Sequence, residues 1–202
     1  MRRLLLITLA TALVVGLAGP ASSAAPTVYI YEPGPETPVG FTPALMDVGQ
    51  GQRVIWQWME GTHRVRDAVA GLGFINSYNP PDSPGATHEE FFAAAGTYRY
   101  ICTVHDGMFG RVRAPVQGSP VDGGFVIRWS TATAMPGYVF DVQARETGTV
   151  SWLMWKSGVT RPSARYAHAG SESFQFRARV RRIDVGTTGW SRAFTISEAS
   201  AG

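Results

Sequence analysis

Apolar and polar residues alternate with a period of two through much of the chain, a pattern typical of half-buried β-strands. In the run Tyr-Arg-Tyr-Ile-Cys at 98–102, the two tyrosines and the cysteine share one face of such a strand. Further runs at 125–129, 138–142, 151–155 and 173–182 also predict strands, with turn residues between them. No segment shows a helical period of useful length. The pattern therefore predicts an all-β protein of two β-sandwiches in tandem.

The first 25 residues have the pattern of a secretory signal peptide. Two arginines follow Met1, an apolar run extends from Leu4 to Gly19, and small residues precede a predicted cleavage site after Ala24 or Ala25. The apolar run is short for a membrane span, and no other segment reaches spanning length. We predict an exported protein, secreted or held in the cell envelope, with no transmembrane span in the mature chain; an uncleaved amino-terminal anchor is the alternative.

A mature chain of about 177 residues is too long for one small sandwich and suits two domains. The sequence turns rich in proline and glycine at 114–120, which is typical of a joint between domains. We predict a first domain at 26–116, a linker at 117–120 and a second domain at 121–199.

Three donor side chains follow one another at three-residue steps just after a predicted strand: Cys102, His105 and Met108. His63 offers a second imidazole far upstream. A thiolate, two imidazoles and a thioether suit copper in both of its common oxidation states. The chain has one cysteine, so an exported form has no internal disulfide to occupy that thiol. We predict that these four residues hold one copper ion that cycles between Cu(II) and Cu(I).

The residues around these donors resemble the cupredoxin family of small blue copper proteins, which includes plastocyanin and amicyanin. The resemblance covers roughly residues 27–116, and Cys-x-x-His-x-x-Met is most similar to the short ligand loop of amicyanin. The further matches are Phe41-x-Pro43, Val48-x-x-Gly51, Val54-x-Trp56, His63-x-Val65, Phe74-x-x-Ser77, Phe92 and Gly96-Thr97-Tyr98-x-Tyr100-x-Cys102.

The resemblance implies a Greek-key sandwich with a type 1 copper site ligated by His63, Cys102, His105 and Met108. One position departs from the family pattern, because Arg64 follows the upstream histidine where a small polar residue is usual. Outer-sphere hydrogen bonds orient copper ligands and tune the metal, so this change bears on the potential and rigidity of the site.

The second half resembles a fibronectin type III module over residues 121–197. The matching residues are Ile127-x-Trp129, Tyr138-x-Phe140, Phe174-x-Phe176-Arg177 and Gly189-Trp190-Ser191. A departure lies at Phe174, where that fold usually carries a tyrosine whose hydroxyl bonds back to the main chain.

We interpret the protein as an exported one-electron carrier and not as an enzyme, with His105 nearest solvent and an unknown redox partner protein docking near it. The alternative is an extracytoplasmic copper-binding or copper-delivery protein without redox turnover, in which the second domain is a spacer or a surface-binding module. A third reading makes the second domain the functional part, binding a protein or a glycan.

Enzymes with several copper centres need more histidines than the four present, and His88 and His168 are interpreted as surface residues. No motif indicates a serine hydrolase, a phosphate-binding loop or nucleic-acid binding.

Arginines alternate with apolar residues near the end of the second domain, at Arg177, Arg179 and Arg181. An outward arginine row could hold an anionic cell-surface polymer. The alternative, which we favour, is a solvated sheet face that resists edge pairing.

Overall fold

The computed structural model describes residues 24–35, 40–77, 83–168, 170 and 172–197, and across them the fold is all-β, as predicted. Almost all of the predicted signal peptide lies outside these residues. Within the described part of the chain, no helix has the length and apolar character needed to cross a membrane.

The chain forms sixteen strands in the described residues. The first eight are β1 (Thr27–Ile30), β2 (Phe41–Thr42), β3 (Leu45–Asp47), β4 (Gln52–Trp58), β5 (Val65–Asp67), β6 (Thr87–Phe92), β7 (Gly96–Cys102) and β8 (Phe109–Ala114). The others are β9 (Gln117–Val121), β10 (Gly124–Arg128), β11 (Tyr138–Glu146), β12 (Leu153–Val159), β13 (Ser163–Ala167), β14 (Phe174–Arg182), β15 (Gly186–Thr187) and β16 (Phe194–Ile196).

The first eight strands make the first sandwich from two four-stranded sheets, in the orders β2-β1-β4-β6 and β3-β8-β7-β5. Its core is filled by aromatic side chains from the facing strands. The ring of Trp56 on β4 meets Tyr100 on β7 edge-on at 5.3 Å, and Tyr98 meets Phe92 at 4.8 Å. In β7 the predicted alternation is confirmed, since both tyrosines and Cys102 are buried while Arg99 is exposed. This alternation points Cys102 into the protein at the end of the strand.

The second sandwich packs the three-stranded sheet β13-β10-β9 against a five-stranded sheet, β12-β11-β14-β15 with β16 also paired to β14. Aromatic rings from both sheets fill the space between them: Trp155 lies edge-on to Trp129 at 5.8 Å and to Phe176 at 5.6 Å. The two tandem sandwiches predicted from the alternation are thus present.

Direct hydrogen bonds join the two sandwiches. Thr97 on β7 exchanges two main-chain bonds with Gly189, both of 2.9 Å, and its hydroxyl donates to the carbonyl of Trp190 at 2.8 Å. The amide of Ala95 donates to the carbonyl of Trp129 at 2.7 Å. The buried apolar residues of both sandwiches form one continuous cluster. Strand β7 therefore has its amino-terminal end at the junction and its carboxyl end at Cys102.

The segment expected to be a linker, residues 117–120, lies within β9. This strand pairs with β10 in antiparallel register, with Gln117 opposite Arg128 and Val121 opposite Gly124. Proline and glycine in this segment indicated a joint, but Pro120 falls on an edge strand, where its missing amide proton costs no ladder hydrogen bond. The chain passes from one sandwich to the next without a free segment.

Two arginines of the row on β14, together with Arg145 on β11, stack on tryptophan rings. The guanidinium of Arg177 lies 4.2 Å from the Trp152 ring centre and 5.1 Å from that of Trp190. Arg179 lies 4.5 Å from Trp190, and Arg145 lies 4.4 Å from Trp152. Each cation faces an aromatic ring, an arrangement that gives about 0.5–1 kcal/mol at exposed sites.

A buried carboxylate forms ion pairs with two arginines of this row. Asp141 on β11 is 1% exposed and pairs with both Arg179 and Arg181 at 3.1 Å. Burial alone would raise the pKa of Asp141, but hydrogen bonds from Arg181, from the Gly158 amide and from Arg179 outweigh it, so the pKa lies below its ordinary value. The folded state thus favours the ionised carboxylate.

Replacing Asp141 by Asn should lower the free energy of unfolding at pH 7 by about 1–3 kcal/mol, because two half-exposed arginines lose their buried partner. Because the pKa of Asp141 is lower in the folded state than in the unfolded state, the stabilising contribution of its carboxylate is present above the unfolded pKa of about 3.9. This contribution is lost as the pH falls through the folded pKa. Urea unfolding at pH 7 and pH 3 measures it, and the difference between wild type and Asp141→Asn should shrink at pH 3.

The matched control is Asp184→Asn, which removes an exposed carboxylate from the turn after β14. This variant should stay within about 0.5 kcal/mol of wild type. An Asp141 variant as stable as the Asp184 variant at pH 7 would contradict the ion-pair account.

Candidate metal centre

Two neighbouring strands hold the segments that carry His63 and Cys102. Val65 on β5 pairs with Cys102 on β7, and the amide of Thr103 donates to the carbonyl of Arg64 at 2.9 Å. This main-chain bond ties the loop after Cys102 to the segment after His63, whatever side chain stands at position 64.

Two further bonds fix the upstream histidine and its loop. The indole Nε1 of Trp58 donates to the carbonyl of His63 at 3.1 Å, and the amide of Val65 donates to the Ser77 hydroxyl at 2.9 Å. The Trp58 bond is buried and links the end of β4 to the His63 main chain. The main chain at and after His63 is therefore held by two side chains, and His63 is 0% exposed.

The loop from Cys102 to Met108 closes on itself. The amide of Cys102 donates to the carbonyl of Met108 at 3.0 Å, and the amide of Val104 points at the Cys102 sulfur at 3.4 Å. These two bonds fold the loop back so that the His105 ring faces the sulfur.

Three donor atoms converge on one point. The Nδ1 atoms of His63 and His105 are 3.1 Å apart, and the Cys102 sulfur lies 3.7 Å from the first and 3.6 Å from the second. An ion at the centre of this triangle would lie about 2 Å from each donor, close to the length of metal–imidazole and metal–thiolate bonds. The triangle has the size that a metal ion requires.

The outer edges of the two rings face oxygen atoms. Nε2 of His63 lies 3.0 Å from the carbonyl oxygen of Glu60, and Nε2 of His105 lies 3.3 Å from a carboxylate oxygen of Glu32. The carbonyl can only accept, so we assign the ring proton of His63 to Nε2, which leaves the Nδ1 lone pair on the side of the sulfur. With the same tautomer at His105, both Nδ1 lone pairs can bind one cation.

Burial keeps His63 in the neutral form that a metal needs. Burial lowers the pKa of His63, and the nearby His105 lowers it further, against opposing effects of Glu32 and of the Glu60 carbonyl. A neutral imidazole has its lone pair available, so protons compete less with a metal at this residue.

Met108 lies in the same buried region. Its side chain is 2% exposed and packs against Gly40, which has a positive φ of 67°. A Cβ atom at position 40 would stand 2.6 Å from Cε and 2.8 Å from the sulfur of Met108. The glycine therefore leaves the room that the thioether occupies.

The structure brings together His63, Cys102 and His105, and it buries Met108 next to them. His88 and His168 lie outside the cluster, each beside a glutamate. Sequence reasoning missed Glu32 and the carbonyl of Glu60. No sequence pattern predicts the role of a carboxylate two residues after a strand. The type of a side chain also does not predict what the main-chain carbonyl of the same residue will bind.

No protein-family model matches the sequence, and no curated protein matches it. Among solved structures, a reduced Cu(I) form of an amicyanin mutant is 24% identical with a TM-score of 0.37, over 47% of this chain and 86% of that one. Another reduced amicyanin mutant is 31% identical with a TM-score of 0.36, over 46% and 87%. A purple cupredoxin from Nitrosopumilus maritimus is 24% identical with a TM-score of 0.38, over 44% and 98%.

These likenesses are to cupredoxins, and they span under half of this chain. Because their TM-scores are low, we define the site by its donor atoms and not by the likeness to these structures. Two imidazoles and one thiolate around a point about 2 Å from each fit a blue copper site.

Replacing Gly40 by Ala should displace the Met108 thioether as well as strain the main chain. We expect the free energy of unfolding of the copper-free protein to fall by about 2–5 kcal/mol, because a positive φ costs about 1–2 kcal/mol and an overpacked core about 1–3 kcal/mol. Urea unfolding measures this loss.

Gly148→Ala is the matched control, since Gly148 has a φ of 91° and nothing lies within 4 Å of its Cβ position. It should lose only the main-chain part, about 1–2 kcal/mol. Equal losses in the two variants would argue against a tight contact between Met108 and position 40.

Proposed function

We propose that this protein is an exported type 1 copper protein that carries one electron at a time. The observation that supports this most directly is the triangle of two Nδ1 atoms and one sulfur, with sides of 3.1, 3.6 and 3.7 Å. One copper ion bound there would supply exchange between Cu(II) and Cu(I).

The residues of the chain have separate roles in this proposal. His63, Cys102 and His105 would hold the ion, and the thioether of Met108 would supply a fourth, weaker ligand. The burial of His63 and Cys102, 0% and 4% exposed, excludes water from the inner side. Main-chain bonds on both ligand loops hold the donors in nearly one arrangement, which suits an ion that changes charge without changing its surroundings.

We place the electron exit and the docking site of the redox partner around His105. Its side chain is 27% exposed, whereas the other two donors are buried. Phe109 and Val104 flank the loop and are 51% and 45% exposed, so they offer the small apolar surface that weak redox encounters use. Met108 is buried and takes no part in this surface.

The buried ligands favour electron transfer over copper delivery. Copper could reach a partner protein only past His105, since the other donors have almost no accessible surface. We infer export from the pattern of the amino-terminal sequence. The assignment of the second sandwich to the fibronectin type III class is likewise part of the proposal.

The second predicted surface, an anionic polymer site at Arg177, Arg179 and Arg181, is less favoured by the contacts. Arg179 and Arg181 are paired with Asp141, and Arg177 lies between two tryptophan rings. These internal partners support the alternative in which the arginine row stabilises and solvates the sheet.

Replacing Cys102 by Ser should abolish the intense visible absorption of the Cu(II) form, because a hydroxyl is a harder and less charge-donating ligand than a thiolate. Visible and electron-paramagnetic spectra with one equivalent of Cu(II) measure this. His168→Asn, which removes an imidazole from the second sandwich, should keep the band. A band that survives in the Cys102 variant would remove the cysteine from the site.

Replacing Met108 by Leu should leave the colour and raise the reduction potential, because Cu(II) loses an axial donor. The measurement is cyclic voltammetry of the purified protein. Met135→Leu, at an exposed position of the second sandwich, should leave the potential unchanged. A lowered or constant potential in the Met108 variant would show that its thioether does not coordinate.

A further inference from the structure

Glu32 lies against the outer edges of both imidazoles of the metal centre. Its Oε2 atom is 3.3 Å from Nε2 of His105, and its Oε1 atom is 3.9 Å from Nε2 of His63. The side chain is 48% exposed, so the carboxylate stands between the site and solvent. No other carboxylate in the described residues forms an ion pair with either ring.

The main chain places this carboxylate. The carbonyl of Ile30, at the end of β1, accepts bonds from the amides of Met59 and Glu60 at 2.8 and 3.3 Å. The amide of Tyr31, the residue before Glu32, donates to the carbonyl of Gly40 at 2.8 Å. Glu32 therefore starts its loop beside the turn that leads to His63.

A glycine in that turn makes room for the side chain. Gly61 has a φ of 62°, a left-handed conformation that favours glycine. A Cβ atom at this position would collide with the Glu32 carboxylate. The approach of Glu32 to the rings thus depends on two separate local features, its position just after β1 and the glycine in the turn before His63.

The two imidazoles have different outer partners. His63 donates its Nε2 proton to a neutral main-chain carbonyl, at 3.0 Å, whereas His105 faces a charged carboxylate. A ligand histidine that donates to a carboxylate is held in one orientation and becomes a stronger donor to its metal. A negative charge near a metal also favours its more highly charged oxidation state. Both effects act through His105, the exposed ligand.

We propose that Glu32 is a positioning residue for His105. Its carboxylate accepts a hydrogen bond from Nε2–H of His105, which holds Nδ1 toward the metal, and its charge stabilises Cu(II) relative to Cu(I). The proposal rests on the proposed function, because it needs a copper ion at the centre of the triangle. It adds a residue outside the ligand set that sets the potential and orients the exposed ligand.

The first experiment uses Zn(II), which binds thiolate and imidazole donors and does not change oxidation state. In the Zn(II) form of the full chain, proton NMR should show a protected Nε2 proton of His105. Glu32→Ala removes the acceptor, so this proton should exchange with water at least about tenfold faster. Equal exchange rates in wild type and variant would overturn the positioning role.

The second experiment compares Cu(II) and Cu(I) affinities at pH 7. Glu32→Gln keeps a hydrogen-bond acceptor but removes the charge, so the ratio of Cu(II) to Cu(I) affinity should fall about tenfold, which is a rise of about 59 mV in potential. Glu32→Ala should show at least the same rise. The charge-matched control is Glu146→Gln, at an exposed position at the end of β11 in the second sandwich, which should change the ratio by less than about twofold.

The outcomes separate this proposal from the proposed function. If wild type is blue with a reversible couple but both Glu32 variants keep its potential, the tuning role fails and the electron carrier stands. If Glu146→Gln shifts the potential as much as Glu32→Gln, the effect belongs to net charge and the proposal fails. If wild type binds copper without the blue absorption, the proposed function and the tuning role fail, while proton exchange in the Zn(II) form still decides the contact. Thermal unfolding of each copper-free variant checks that the fold is intact.

Discussion

Two imidazole nitrogens and one sulfur face one another at 3.1–3.7 Å at one end of the first sandwich. Three electron-pair donors this close together repel one another unless a proton or a cation lies between them. One cation at the centre satisfies all three donors at once, and its binding would displace a proton held there. The ligand loops, the packing of Met108 and the outer contacts of both rings all serve to keep these three atoms in place.

Strand β7 connects this centre with the rest of the molecule. Its seven residues run from Gly96, at the junction with the second sandwich, to Cys102 at the metal centre. Main-chain bonds between Thr97 and Gly189 hold one end, and the pairing of Cys102 with Val65 holds the other. At about 3.3 Å per residue the strand separates the two by roughly 20 Å. The second sandwich therefore supports the strand that carries the thiolate without approaching the site.

Carboxylates have contrasting roles in the two sandwiches. Asp141 is buried and neutralises arginines whose outward alternation was visible in the sequence, so the row is less available to a ligand than its spacing suggested. Glu32 is half exposed and faces histidines, where it orders a ring edge. In both cases the alternation or spacing of the basic groups could be read directly, but their acidic partners come from other strands or loops and are distant in the chain.

The sequence by itself determined the all-β class and the two sandwiches through local alternation. The three-residue spacing of Cys102, His105 and Met108 singled out candidate donors, of which the structure brings Cys102 and His105 together with His63. Only the tertiary structure decided which nitrogen of each ring faces the sulfur, that Glu32 covers His105, and that the expected linker is a strand. Those features depend on the main-chain positions of residues brought together by folding, and neither residue type nor spacing carries that information.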